Sequence, residues 1–249
     1  MKFLKYLFPS CMLLICLLIC WEVIIDIWKI DQQILPSPSA ISIAFIEHFA
    51  ILLPHIAQTL LETLIGLFLA IILGVSLAII LSVSPIIRRA WYPVLVISQT
   101  IPLIALAPLL LIWFGFTLLP KVIIVMLYCF FPITVSLIDG MEKINPDIIH
   151  LLQSMGATKW QIIRLARFPG SLPSFFSGLR IAATYSVTGA IVGEYVGAYQ
   201  GLGIYMQTAA HSYAIALVFV TIAITSILSL LLFGVVTVLE TIFVPWQRK

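Results

Sequence analysis

The sequence predicts an all-α, polytopic membrane protein with six transmembrane helices, and three observations carry that prediction. Of its 249 residues, 62% are hydrophobic and only 9% are charged, against roughly 25% charge in ordinary globular domains. Six stretches, near 7–28, 60–83, 94–115, 120–141, 176–198 and 214–240, supply the ~20 apolar residues that a spanning helix needs. The cations alternate with these stretches. With the N-terminus inside, Lys2, Lys5, Arg88, Arg89, Lys143, Lys159, Arg164, Arg167, Arg180, Arg248 and Lys249 fall on the cytoplasmic side, and only Lys29 and Lys121 fall outside. That bias orients both termini to the cytoplasm. The net charge of +3 is dispersed between spans, which argues for the lipid bilayer and against nucleic acid as a partner.

The first span begins after Lys2 and Lys5. It is read as uncleaved, because no small-residue cleavage site follows it. Cys11, Cys16, Cys20 and Cys129 all fall in spans, as small apolar residues and not as a disulfide framework. The external segment after it holds LPSPS (35–39), extended because prolines and their predecessors avoid helix. Ile41, Phe45 and Phe49 then recur every four residues, which predicts a short amphipathic helix at the membrane surface. Residues 1–58 are accordingly one unit, the first span plus an external loop and surface helix. Residues 59–249 form a five-helix core.

The second span ends at SVSP, and the third contains Pro102 and Pro108. Prolines within a span free backbone carbonyls and kink the helix. That suits a helix lining a pathway; a kink packed on neighbours would use them too. Ser98, Gln99, Thr100 and Pro102 are candidate pathway residues here. The fourth span starts at Pro120 and contains Pro132. In the fifth, Gly189, Gly193 and Gly197 stand four apart on one helix face, where small residues let another helix approach closely. Thr184, Tyr185, Ser186, Thr188 and Glu194 are further pathway candidates, with ordinary interhelical hydrogen bonding the alternative for each. The last span ends at VPWQRK, suited to the cytoplasmic interface.

Residues 142–175 form the longest cytoplasmic connection. Asn145-Pro146-Asp147 reads as a cap, a first-position proline and a first-turn acid. Ile148, Ile149, Leu151, Leu152 and Met155 follow at helical spacing, and Gly156 stops the helix. Thr158-Lys159-Trp160-Gln161 has the form of a capping box opening a second helix. Trp160, Ile163 and Arg167 are expected on one side, with Lys159 and Arg164 adding positive charge, and Pro169 and Pro173 ending the helix. A surface helix held to anionic lipid and a protein-docking site both fit this pattern.

GATKWQIIRLARFPGSLP, with LPSFFSGLRIA continuing it, resembles the cytoplasmic "EAA" loop of permease subunits of bacterial ABC importers. The family's glycine falls on Gly156, and its E-A-A positions fall on His150-Leu151-Leu152, so a histidine replaces the family's acid. LPSPS, SQTIPLIALAPLLLIWFG and IVGEYVGAYQGLGIYM look like the nitrate/sulfonate/taurine branch. Within it, SMGATKWQI and SFFSGLRIAATYSVTGAIVGEY look most like permeases for thiamine pyrimidine precursors (hydroxymethyl- or formylaminopyrimidine). The resemblance implies a type I importer permease fold in the bacterial inner membrane. It also implies a second permease copy, expected to be another copy of this same chain, together with an ATPase dimer and an external solute-binding protein. His150, Gly156, Ala157, Thr158, Trp160, Arg164 and Arg167 are then the residues expected to couple to the ATPase.

No G-x-x-x-x-G-K-[ST] loop occurs. The chain is therefore expected to be no enzyme and to bind no cofactor, with ATP and Mg on the partner ATPase. His48, His55, His150 and His211 are scattered and lack metal-ligand spacing. An ATP-independent carrier is the less favoured alternative, since several buried charges would be expected of an ion-coupled one.

Overall fold

The structure, a computed structural model, describes residues 2–247; the side chains of residues 2–7, 10, 11, 85 and 247 are outside that description. The cations expected at Lys2, Lys5, Arg248 and Lys249, and Cys11, therefore lie outside the described side chains. The chain is helical nearly throughout: α1 (Lys2–Trp28), α2 (Pro38–Val83), α3 (Pro85–Thr100), α4 (Leu103–Phe114), α5 (Leu118–Glu142), α6 (Pro146–Ser154), α7 (Lys159–Ile162), α8 (Phe168–Gly197), α9 (Leu202–His211) and α10 (Ile215–Phe243). Among the described residues four helical runs are long and apolar enough to cross a membrane, and a bent pair makes up to five. The span expected in α1 includes residues whose side chains lie outside the description, so this count does not bear on it.

The centre of the bundle is α5, clasped between α2 and α8. Glycines on both flanking helices make the close approach possible. A Cβ at Gly74 would lie 3.1 Å from the Phe130 carbonyl oxygen, and one at Gly178 would lie 2.5 Å from that of Pro132. The predicted stripe faces the same way: Gly189 meets Val125 and Tyr128, and Gly193 meets Lys121, while Gly197 meets Leu111 and Phe116. Without a hydrophobic drive between helices in lipid, such close packing is what holds them together. Leu67, Ala70, Val125, Cys129, Ile133, Leu137, Leu179, Ala182 and Ala183 fill the seam. By contrast α1 is peripheral. It touches the bundle through Glu22, which accepts from Ser39 N–H (3.0 Å) and Oγ–H (2.6 Å), and through Trp21 against Phe219.

Three expectations about helix boundaries are corrected. The short surface helix and the second span are one helix, α2, of 46 residues, about 69 Å long at 1.5 Å per residue. The boundary drawn at 58/59 falls within it. Polar residues such as His48 and His55 lie within that helix and do not end it, and Pro54 is accommodated inside it. The third span is not a kinked helix but two helices, α3 and α4, bent by 91°. Pro102 drives its predecessor out of the helical region, and Ile101 is extended at φ −75°, ψ 122°. Finally, Pro169 and Pro173 do not end the second short helix. A π turn, Ile163–Arg167, joins α7 to α8, with Phe168 N–H donating to the Ile163 carbonyl. The widened turn lets Pro169 enter at the start of α8, where a missing N–H matters least.

Candidate functional site

The segment expected to couple to an ATPase, α6 and α7, is built by local sequence at every joint. Asn145 Oδ1 accepts from Asp147 N–H at 2.9 Å and opens α6. At its end Gly156 adopts φ +79°. Its N–H donates to Gln153 O and that of Ala157 to Leu152 O, both at 2.9 Å, the paired bonds of a Schellman cap. No atom lies within 4 Å of where a Gly156 Cβ would sit, so glycine is required there by conformation and not by space. Thr158 then forms the predicted capping box: its N–H donates to Gln161 Oε1 (2.7 Å), and Gln161 N–H donates to Thr158 Oγ1 (3.3 Å).

This rigid pair of helices is only half covered by its own chain. Ile162 and Ile163 are buried against the bundle. Ile148, Leu151, Met155 and Trp160 are 48%, 62%, 75% and 58% exposed. His150, Thr158 and Arg164 are also exposed, and Ala157 is half-buried. The grouping of Trp160, Ile163 and Arg167 on one side is corrected: Trp160 stands exposed, whereas Ile163 is buried. Arg167 turns inward, and its Nη1–H donates to the Ser82 carbonyl at 3.3 Å.

The predicted pathway residues divide. Gln99, at the end of α3, and Tyr185, on α8, line one groove of about 430 Å³ with Tyr128, Pro132, Ser136 and Ile181. Ser98 and Thr100 are on α3 beside it, their hydroxyls donating to their own helix at Leu95 O and Ile97 O, and Pro102 opens α4. Thr188 is exposed and Thr184 half-buried, while Ser186 is buried and donates to Ala183 O at 2.7 Å. Tyr128 and Ser136 escaped sequence reading because they belong to the span that reads as plain core.

Glu194 lies elsewhere, in a buried polar cluster that sequence reading also missed. Its Oε1 accepts from Thr59 Oγ1–H (2.6 Å) and its Oε2 from Gly203 N–H (2.5 Å). Leu202 N–H donates to Thr59 Oγ1 (2.8 Å), and Gly201 N–H donates to His55 Nδ1 (3.0 Å). Glu62 beside them accepts from Gln58 (2.7 Å) and pairs with Lys121 Nζ at 3.2 Å. Thr59, Glu62 and Glu194 are fully buried and Lys121 is 5% exposed. Lys121, one of the two cations expected on the outer side, is buried within the bundle and paired there with Glu62. The cluster ties α2, α5, α8 and α9 together. A signal for it existed: Thr59, Thr63, Gly66, Ala70, Gly74 and Ala78 form a small-residue stripe on α2, and Glu62 interrupts an apolar run, where a carboxylate is expensive.

The family described as "Binding-protein-dependent transport system inner membrane component" matches residues 66–249. Among curated proteins, the formylaminopyrimidine transport permease protein ThiX of Halalkalibacterium halodurans is 40% identical over 230 residues, covering 90% of this chain and 92% of the relative. The riboflavin transport system permease protein RibX of Chloroflexus aurantiacus is 34% identical, covering 95% and 89%. The taurine transport system permease protein TauC of Escherichia coli is 29% identical, covering 94% and 87%. Among solved structures, an inward-facing form of the MetNI methionine ABC transporter superposes with a TM-score of 0.63 at 19% identity, covering 77% of this chain and 97% of that one.

Proposed function

This chain belongs to the family of binding-protein-dependent transport inner membrane components, and on that premise we propose how it works and what it carries. It is the permease subunit of an ABC importer, a multi-pass inner-membrane protein, and a transport subunit instead of a catalytic one. In the proposed arrangement both termini and α6–α7 face the cytoplasm. There they meet an ATPase dimer, and a second copy of this chain completes the pathway. A solute-binding protein delivers cargo to the other side. The observation that carries this reading is the exposed apolar face Ile148, Leu151, Met155 and Trp160 on a helix pair whose caps are all formed. A linker needs no such rigidity, and a face left uncovered by its own chain is suited to a partner. Alternating access follows if that partner's two states contact the face differently.

The docking claim is tested by co-purification with the ATPase. Ile148→Ser combined with Leu151→Ser and Met155→Ser should cut ATPase retention by about tenfold or more, since each lost apolar contact is worth ~1 kcal/mol or more. Gly156→Pro, which cannot adopt φ +79°, should do the same. Retention equal to wild type in both variants, at equal membrane insertion, overturns it.

The proposed cargo is a neutral pyrimidine precursor of thiamine. The relative that is a formylaminopyrimidine permease supports this, and so does the groove. Gln99, Tyr128, Ser136 and Tyr185 offer an amide, a hydroxyl and two rings, with no charged side chain among the lining residues. A sulfonate would be better served by a cation, so the taurine reading, supported by the TauC relative, comes second. Tyr185→Ala should weaken uptake of formylaminopyrimidine about 3- to 10-fold, the value of one aromatic contact, while ATPase retention stays intact. Undiminished formylaminopyrimidine uptake, or robust taurine uptake by the wild type, would reject this cargo.

A further inference from the structure

A second cavity, of about 500 Å³, lies where the end of α2, the start of α3, the end of α5 and the π turn meet. Three guanidinium groups line it, Arg88, Arg89 and Arg167, against one carboxylate, Glu142. Arg88 is already engaged: it is ion-paired with Glu142 and stands over the Tyr92 ring at 5.9 Å. The other two are not balanced. Arg167 spends one N–H on the Ser82 carbonyl, and its Nε is buried without a hydrogen-bond partner among the described residues. No carboxylate among the described residues is paired with Arg89. A buried N–H without an acceptor is unfavourable, and one on a charged group more so. The cavity thus carries two surplus positive charges and an orphaned donor, with room for a tetrahedral anion.

We propose that this cavity binds a phosphate-type anionic group, held by Arg89 and Arg167. The planar guanidinium fork matches phosphate oxygens in pairs. Glu142 does not oppose this, because Arg88 neutralises it. The neighbouring α3 residues Ile86, Ile87 and Trp91 are 80%, 40% and 52% exposed, a tryptophan-and-aliphatic rim of the kind found where acyl chains meet head groups. The phosphodiester of an anionic phospholipid therefore fits the site better than a free anion, and basic pockets between spanning helices are known to take such head groups. The inference goes beyond the transport reading and does not depend on the ATPase or on the cargo.

The test uses the purified full chain in nanodiscs of phosphatidylcholine with or without phosphatidylglycerol, read by native mass spectrometry. Wild type should retain phosphatidylglycerol about tenfold over phosphatidylcholine, the size of a charge-assisted contact. Arg89→Gln combined with Arg167→Gln should abolish that preference, and Lys143→Gln, a cation outside the cavity, should leave it intact. Should the Arg167 variant fail to fold, Arg89→Gln alone, at an exposed side chain, carries the same expectation. A parallel arm adds inorganic phosphate to phosphatidylcholine discs. Binding of phosphate that needs Arg89, without lipid preference, assigns the site to a free anion and keeps the proposal. A preference equally lost in Lys143→Gln, or anion binding unaffected by both arginine changes, overturns it.

Discussion

Replacing Lys121 by methionine is expected to destabilise the folded chain by about 3–5 kcal/mol, the cost of breaking a buried ion pair from one side. Lys121 is the cation within a cluster that also buries Glu62 and Glu194. Its ammonium lies 3.2 Å from Glu62 Oε1, while Glu62 Oε2 has no hydrogen-bond partner among the described residues. Methionine keeps most of the side-chain volume that packs over Gly193, so the charge is what changes. The measurement is thermal unfolding in detergent. Lys121→Met combined with Glu62→Gln should recover most of the loss, because the stranded carboxylate is then removed as well. A single variant that melts with wild type would show that the pair contributes nothing net.

The second large effect is expected at Gly178. Valine there would bring its Cβ to 2.5 Å from the Pro132 carbonyl oxygen and 2.7 Å from Ser136 Cβ. Both obstacles belong to the α5 helix itself, which cannot retreat without opening the seam against α2. Overpacking of this kind costs about 1–3 kcal/mol where side chains can adjust, and a rigid backbone puts Gly178→Val at or above the top of that range. Gly234 supplies the control, since no atom lies within 4 Å of where its Cβ would sit. Gly234→Val should be near neutral, because valine is at least as compatible with helix as glycine. Equal melting temperatures for the two variants would refute the close-packing account of the α5–α8 seam.

What the sequence disclosed follows the range of the interactions involved. The Asn145 cap, the Gly156 turn and the Thr158–Gln161 box each close within a few residues, and each was readable from spacing alone. The break between α3 and α4 was half readable: Pro102 announced a disturbance, but a proline in a span is compatible with a kink or a full 91° bend. Continuity of α2 was obscured by its own polar residues. Least legible was the cluster of Thr59, Glu62, Lys121 and Glu194. The Gly201–His55 bond spans 146 residues, and no periodicity reports which distant spans will meet. In the groove, Gln99 and Tyr185 were picked for their polarity within spans. Tyr128 and Ser136 join them only through the packing of α5 on α8.

The unbroken length of α2 has a mechanical consequence. At one point Thr59 is bonded to Glu194 and to the start of α9. At another, 23 residues on, the Ser82 carbonyl receives Arg167 from the π turn. Those two attachments sit about 35 Å apart on one helix, and a helix is far stiffer to stretching than to tilting. If α6 and α7 dock an ATPase as proposed, a push there would reach the Thr59 attachment as a swing of a single lever, with no joint between in which the stroke could be lost.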